Sequence, residues 1–86
     1  MYSELIIPSL SRGVSEKEVR RVFEKHGLGS LTKFRDKYNS YNSRLAWLNV
    51  EWTHPNASKY ITYLEDGGCL TLVSEFPNAL YVYLKK

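Results

Sequence analysis

The sequence predicts a small α+β domain with the element order βαββαβ, in which two helices cover one face of a four-stranded antiparallel sheet. A helix signature follows a short apolar run near the start of the chain, and a second helical stripe follows a strongly alternating run. Strand-like segments account for most of the remainder. Because no helix covers the second face of such a sheet, we expect any binding function to reside there.

The bulk properties fit one domain over residues 1–86 and narrow the function classes. A net charge of +3 and an aromatic content of 14% permit contact with phosphate groups and stacking on bases. Cys69 is the only cysteine, which excludes an internal disulfide and a cysteine-based metal site. The first residues include Glu4 and no long apolar run, so we expect neither a signal peptide nor a membrane span, and an intracellular protein, cytoplasmic or nuclear.

Local signals predict both helices. Ser15 and Glu18 have the spacing of a capping box, and Gly27 supplies a left-handed stop, so helix 1 is expected over residues 16–26. Helix 2 is expected to have Pro55 in its first turn and to end at the glycine pair 67–68. Their buried stripes are predicted to be Val19, Val22 and Phe23 on the first helix, and Ala57, Tyr60, Ile61 and Leu64 on the second.

The first two strands are apolar but irregular. Residues 4–10 form an apolar run that we expect to end as a strand at Pro8. Residues 28–38 form the second strand, in which Leu31 and Phe34 are the expected core residues. Their three-residue spacing breaks strict alternation and predicts a β-bulge between them.

The remaining strands alternate clearly. After a polar loop at 39–43, strand 3 covers residues 44–52, and two further strands are predicted at 69–75 and 79–85, the first of them a short extra strand. The pattern places Leu48, Val50, Trp52, Leu80, Val82 and Leu84 toward the helices, and Trp47, Asn49, Glu51, Tyr81, Tyr83 and Lys85 on the open face.

With this order in place, the residues resemble the RNA recognition motif family, a ferredoxin-like fold, over nearly the whole chain. LIIPSL at 5–10 lies where that family has its hexapeptide, and LAWLNVEW at 45–52 corresponds to its octapeptide. SEKEVRRVFEKHG and ASKYITYLEDG resemble its two helices. More narrowly, the LGxL element at 28–31, the end of strand 3, and the spacing of Pro77, Leu80 and Val82 are similar to RNA-recognition-motif-like proteins of large DNA viruses.

The resemblance implies that the open face binds single-stranded RNA, or DNA, through aromatic side chains at three positions. These positions are Ile6, Trp47 and Asn49 here, so only one aromatic residue is retained. Because a stacked base contributes roughly 1–3 kcal/mol, losing two platforms costs on the order of a hundredfold in affinity, which Tyr81 and Tyr83 would partly recover. Basic residues complete a candidate site that consists of Ile6, Lys33, Arg35, Arg44, Trp47, Asn49, Tyr81, Tyr83 and Lys85.

Other functions stay open at this point. The aromatic patch of Ile6, Trp47, Tyr81 and Tyr83 also suits an interface with a protein partner or with a second copy of the chain. Acylphosphatase-type enzymes share the topology, but residues 9–13 are too slight a match to a phosphate-cradling loop. No catalytic constellation or metal-ligand spacing is evident, so we expect no enzymatic activity, no cofactor and no metal site.

Overall fold

The computed structural model describes residues 1–38, 43–75 and 78–85. These residues form two helices and five strands, and the element order agrees with the predicted one once the extra strand is included. The elements are β1 (Tyr2–Ser11), α1 (Glu16–Lys25), β2 (Gly29–Tyr38), β3 (Ser43–Trp52), α2 (Ala57–Glu65), β4 (Leu70–Glu75) and β5 (Asn78–Leu84). The predicted loop at 39–43 and the turn around 76–77 fall almost entirely outside the described residues.

The strands form one five-stranded sheet in the order β2-β3-β1-β5-β4, and every neighbouring pair is antiparallel. The α+β class is confirmed, but a sheet of four strands is wrong. The additional strand is β4, which pairs with β5 as a hairpin partner and extends the sheet at the edge beyond β5. Residues 70–73 alternate between buried and exposed, so β4 shares the core with β5 once the two strands pair.

Both helices end in the same way, through a glycine with positive φ. Gly27 has φ of 65° and Gly67 has φ of 89°, a region that side chains with a Cβ disfavour. The backbone N–H of Leu28 donates to the carbonyl of Phe23 at 3.2 Å, and the equivalent bond at α2 runs from Gly68 to Tyr63 at 2.9 Å. These are Schellman closures, so the sequence signals at both C-termini are confirmed.

The helix N-termini differ from each other. Ser15 caps α1, since its hydroxyl oxygen accepts from the backbone N–H of Glu18 at 3.2 Å, as predicted. At α2 the N-cap residue is Asn56, whose side chain makes no capping bond. The prediction that Pro55 lies in the first turn is wrong, because the backbone N–H of Asn56 donates to the ring Nδ1 of His54 at 3.0 Å and the helix starts after this turn.

One hydrophobic core lies between the helices and the inner face of the sheet. The strands and both helices contribute to it, and each predicted helix stripe is buried or packed against it. Its largest fully buried side chains are Phe23, Leu5, Ile7, Leu10, Leu48, Leu64, Val19, Val22, Val50 and Val82. The opposite face of the sheet carries the alternate residues of the same strands and is the open face.

The predicted bulge in β2 is confirmed. The pairing of β2 with β3 shifts between Leu31 and Lys33, which leaves Thr32 as the extra residue. Two hydrogen bonds hold the bulge: Arg20 of α1 donates to the carbonyl of Leu31 at 2.5 Å, and the Thr32 hydroxyl donates to the carbonyl of Asn49 at 3.3 Å. The bulge therefore lets Leu31 and the later residue Phe34 both face the core.

The sequence predicts that strand β1 ends at Pro8, and this prediction is wrong. The strand continues from Ile7 through Pro8 to Ser11, and its pairing with β3 shifts register between Ile7 and Leu10. An irregularity at this point is consistent with a residue that lacks a backbone N–H for the ladder. Leu10 returns to the core beyond the shift, where it is fully buried.

Candidate nucleic-acid interface

The open face is organised in rows that cross the strands. In the central row Arg35 of β2 lies opposite Trp47 of β3, Trp47 opposite Ile6 of β1, and Ile6 opposite Tyr83 of β5. Neighbouring strands are about 4.8 Å apart, so Trp47 and Tyr83 lie about 10 Å from each other with Ile6 between them. This row places a cation, an indole, an aliphatic side chain and a phenol side by side.

Trp47 has the orientation that the sequence predicted. Its neighbours Ala46 and Leu48 are buried in the core, whereas Trp47 is only partly buried, as expected for an indole on the opposite face. Trp52, by contrast, faces the core, where its ring stacks on Tyr60 with centroids 6.3 Å apart and its N–H donates to the Ser3 hydroxyl at 2.8 Å. The two tryptophans therefore have separate roles, one on the surface and one in the core.

A second row carries polar residues beside the central one. Lys33 lies opposite Asn49, and Asn49 lies opposite Glu4. The Glu4 carboxylate pairs with the Lys85 ammonium at 3.5 Å, and both side chains are about half exposed. Such an exposed pair contributes little to stability, but it partly neutralises Lys85 as a partner for phosphate.

Two tyrosines continue the open face on β5. Tyr81 is 51% exposed and Tyr83 is 39% exposed, so both rings are accessible on the face that also carries Trp47. A hydrogen bond to the Cys69 thiol group, reinforced by its charge when ionised, raises the pKa of Tyr83 above its usual value. Tyr83 therefore stays a neutral phenol through the physiological range and can stack without a charge.

Arg44 does not belong to this surface, and its assignment to the site was wrong. It is 8% exposed and lies on the inner face with Ala46 and Leu48. Its guanidinium pairs with the Asp36 carboxylate at 2.7 Å, donates to the Ser11 carbonyl at 3.0 Å and also donates to the Val14 carbonyl. Through these bonds Arg44 connects the turn before α1 to the β2–β3 pair, so its role is structural.

Lys37 belongs to the open face and was missed. It lies opposite Leu45, whose side chain is partly buried on the same face as Trp47, and it is exposed. Within the described part of the chain it forms no ion pair. The signal was present in the sequence, because Lys33, Arg35 and Lys37 alternate and so must share a face once the strand is regular.

A depression of about 540 Å³ borders the bulge in β2. Residues of the open face line one side, and side chains of α1 contribute at the other. Its lining consists of Glu4, Leu5, Glu16, Arg20, Thr32, Lys33, Phe34, Arg35, Trp47, Leu48, Asn49 and Lys85. The hollow thus adjoins the candidate residues Lys33, Arg35, Trp47, Asn49 and Lys85, whereas Ile6, Tyr81 and Tyr83 lie farther across the sheet.

No family model matches the chain, and no curated protein or solved structure does so either. The resemblance to the RNA recognition motif family, including its virus-like variant, stays a prediction. Within the described ranges, no cluster of three or more histidine, cysteine, aspartate or glutamate residues is arranged to hold a metal ion. Neither helix of the described chain has the length and apolar character needed to cross a bilayer.

Proposed function

We propose that the open face binds single-stranded RNA, with Trp47 as its principal stacking platform. The observation that carries the proposal is the central row, in which an accessible indole lies between a cation, Arg35, and an apolar neighbour, Ile6. A base can stack on the indole while its phosphate meets the guanidinium. Tyr83 at the other end of the row and Tyr81 beside it are further exposed aromatic rings on the same face.

The expected affinity is moderate and depends little on base identity. Stacking on an aromatic side chain is sequence-tolerant, because every base has a π-face. Asn49 places an amide on this face that can hydrogen-bond a base edge, which allows a modest preference at one nucleotide. The proposal includes the finer fold assignment, a ferredoxin-like arrangement formed by β2, β3, β1 and β5 with β4 added at the edge, and a non-enzymatic, intracellular role.

Substitution of Trp47 by alanine tests the stacking claim. Fluorescence anisotropy with a labelled six-nucleotide RNA should show affinity reduced by about 5- to 150-fold, the equivalent of the roughly 1–3 kcal/mol that one stacked base contributes. The matched control is Tyr63→Ala, which removes a 52% exposed aromatic ring from α2, away from the sheet. Equal affinity of Trp47→Ala and wild type would refute the proposal, as would no binding by the wild type.

An interface with a second copy of the chain is a distinct alternative, and it has an observation of its own. Tyr81 and Tyr83 are exposed beside the partly buried Ile6, so an apolar patch occupies the centre of the face. Sedimentation velocity from micromolar to millimolar concentration distinguishes the two. A dimer that Tyr83→Ala dissociates would favour the interaction module, whereas a monomer at all concentrations that binds RNA favours the first proposal.

A further inference from the structure

Three cations lie in line along the free edge of the sheet. Lys33, Arg35 and Lys37 occupy alternate positions of β2, which is an edge strand, and all three side chains are exposed on the open face. Alternate residues of a strand are about 6.7 Å apart, so the three charges extend over about 13 Å. This spacing is close to that of successive phosphates in an extended single strand. We call these three residues the basic edge.

Each cation of the basic edge faces a different kind of side chain on β3. Lys37 lies opposite Leu45, Arg35 opposite Trp47 and Lys33 opposite Asn49. Each pair therefore combines a charge at the rim with a surface one strand further in that can contact a base, about 4.8 Å away. Three successive nucleotides fit this arrangement, with their phosphates at the rim and their bases turned toward β1.

The other charges on the open face also favour a phosphate backbone that runs along β2. Lys85, at the far end of the polar row, is paired with Glu4, whereas none of the three basic-edge residues forms an ion pair with a described residue. Glu51 and Glu4 place negative charge on the part of the open face beyond Asn49. A phosphate chain that runs along β2 meets these three cations, which have no ion-pair partner among the described residues, whereas one that crosses toward β5 passes the Glu4 carboxylate.

We infer that the basic edge holds the sugar-phosphate backbone of a single-stranded nucleic acid that runs along β2, rather than across the sheet, with three consecutive phosphates at Lys33, Arg35 and Lys37. The inference rests on the proposed function and specifies how that site is occupied. The bound segment is three to four nucleotides long. Its central base stacks on Trp47, and its neighbours lie over Leu45 and Asn49.

Salt dependence of binding tests the path. Each phosphate contact with a single strand contributes about 0.7 to the slope of log affinity against log salt concentration, so the wild type should show a slope of about −2 with a short RNA. Lys33→Gln, Arg35→Gln and Lys37→Gln should each reduce its magnitude by about 0.7, and the triple variant should bind almost independently of salt. Lys59→Gln, which removes an exposed cation from α2, is the matched control and should leave the slope unchanged.

Comparison of Lys37→Gln with Lys85→Gln separates the two paths. A backbone along β2 predicts a smaller slope for Lys37→Gln and an unchanged slope for Lys85→Gln, and the reverse result would overturn the inference while leaving Trp47 as a platform. Failure of the proposed function is distinct, since it would show as wild-type affinity for RNA and DNA oligonucleotides no greater than that of Trp47→Ala. A series of oligonucleotides from two to eight bases should gain little affinity beyond four, and a continued rise to eight would also contradict the inference.

Discussion

Arg44 and Arg35 lie on adjacent strands, but we expect substitution of the two residues to have opposite effects on the stability of the fold. Arg44 is buried and hydrogen-bonded to Asp36 and to the carbonyls of Ser11 and Val14, whereas Arg35 is exposed on the open face. Substitution of Arg44 by methionine should therefore destabilise the fold, and the same change at Arg35 should not. The comparison separates a structural cation from a binding one.

The magnitude follows from what Arg44→Met leaves behind. Replacing a whole buried ion pair by apolar groups can be neutral, but here the Asp36 carboxylate and the Val14 carbonyl remain without their donor. A buried carbonyl that loses its partner costs about 1–3 kcal/mol. The Asp36 side chain is 38% exposed, so the lost ion pair adds no more than about 1 kcal/mol. We expect a total of about 1–4 kcal/mol, a large share of the roughly 4–13 kcal/mol typical of 86 residues.

Urea unfolding followed by tryptophan fluorescence measures this cost. With a slope of about 1–2 kcal/mol per molar urea, the midpoint of Arg44→Met should fall by about 0.5–4 M. Arg35→Met should stay within about 0.5 kcal/mol of wild type, yet it should weaken RNA binding. Adding Asp36→Ala to Arg44→Met should recover part of the loss, because it removes the unpaired carboxylate. Unfolding of Arg44→Met at the wild-type midpoint would refute the structural role of this residue.

Three further changes give separate tests. Gly29→Ala should destabilise the domain by about 1–3 kcal/mol in urea unfolding, because a Cβ there would clash with the backbone of Glu51 across the β2–β3 pair. Deletion of Thr32 removes the bulge but leaves the other β2 side chains on their present faces, so the protein should still unfold cooperatively and bind RNA like wild type. Cys69→Ala should lower the pKa of Tyr83 in a spectrophotometric titration, because the thiol group raises it. A raised pKa in the folded state means that Tyr83 ionises more readily in the unfolded chain. The stability linked to Tyr83 is therefore lost as the pH rises above the pKa of the unfolded chain, near 10, and Cys69→Ala should reduce that loss.

The elements were predictable because their signals are local. The capping serine, the two glycine stops and the alternation of β3 each depend on a few adjacent residues, and the structure confirms them. The number of strands in the sheet was not predictable in this way, because the pairing of β4 with β5 depends on tertiary structure and alternation alone does not determine it. The start of α2 was misplaced for a similar reason, because the turn closed by the His54 ring competes with helix formation at Pro55.

At the site, alternation along a strand determines the face of a charged residue in the same way as that of an apolar one. Counting back from Val50 and Leu48 through Ala46 places Arg44 inside, and the structure has it there. The prediction that Arg44 contributes to the open face is wrong, because the Asp36 carboxylate and the Ser11 carbonyl, provided by other segments, compensate the burial of its charge. Lys37 follows the same alternation and shares the open face with Lys33 and Arg35, although the predicted site includes only those two cations of β2.

The β2 bulge is the feature that joins the core to the candidate site. Strict alternation from Leu31 would turn Phe34 outward and Lys33, Arg35 and Lys37 toward the helices, where three charges would have no partners. One extra residue at Thr32 reverses this for the rest of the strand: Phe34 packs against the core and all three cations face outward. Arg20 supplies a donor to the carbonyl of Leu31 at the bulge, so the reversal leaves that group satisfied. The β2 bulge, which α1 stabilises through Arg20, thus determines which charged side chains lie on the open face.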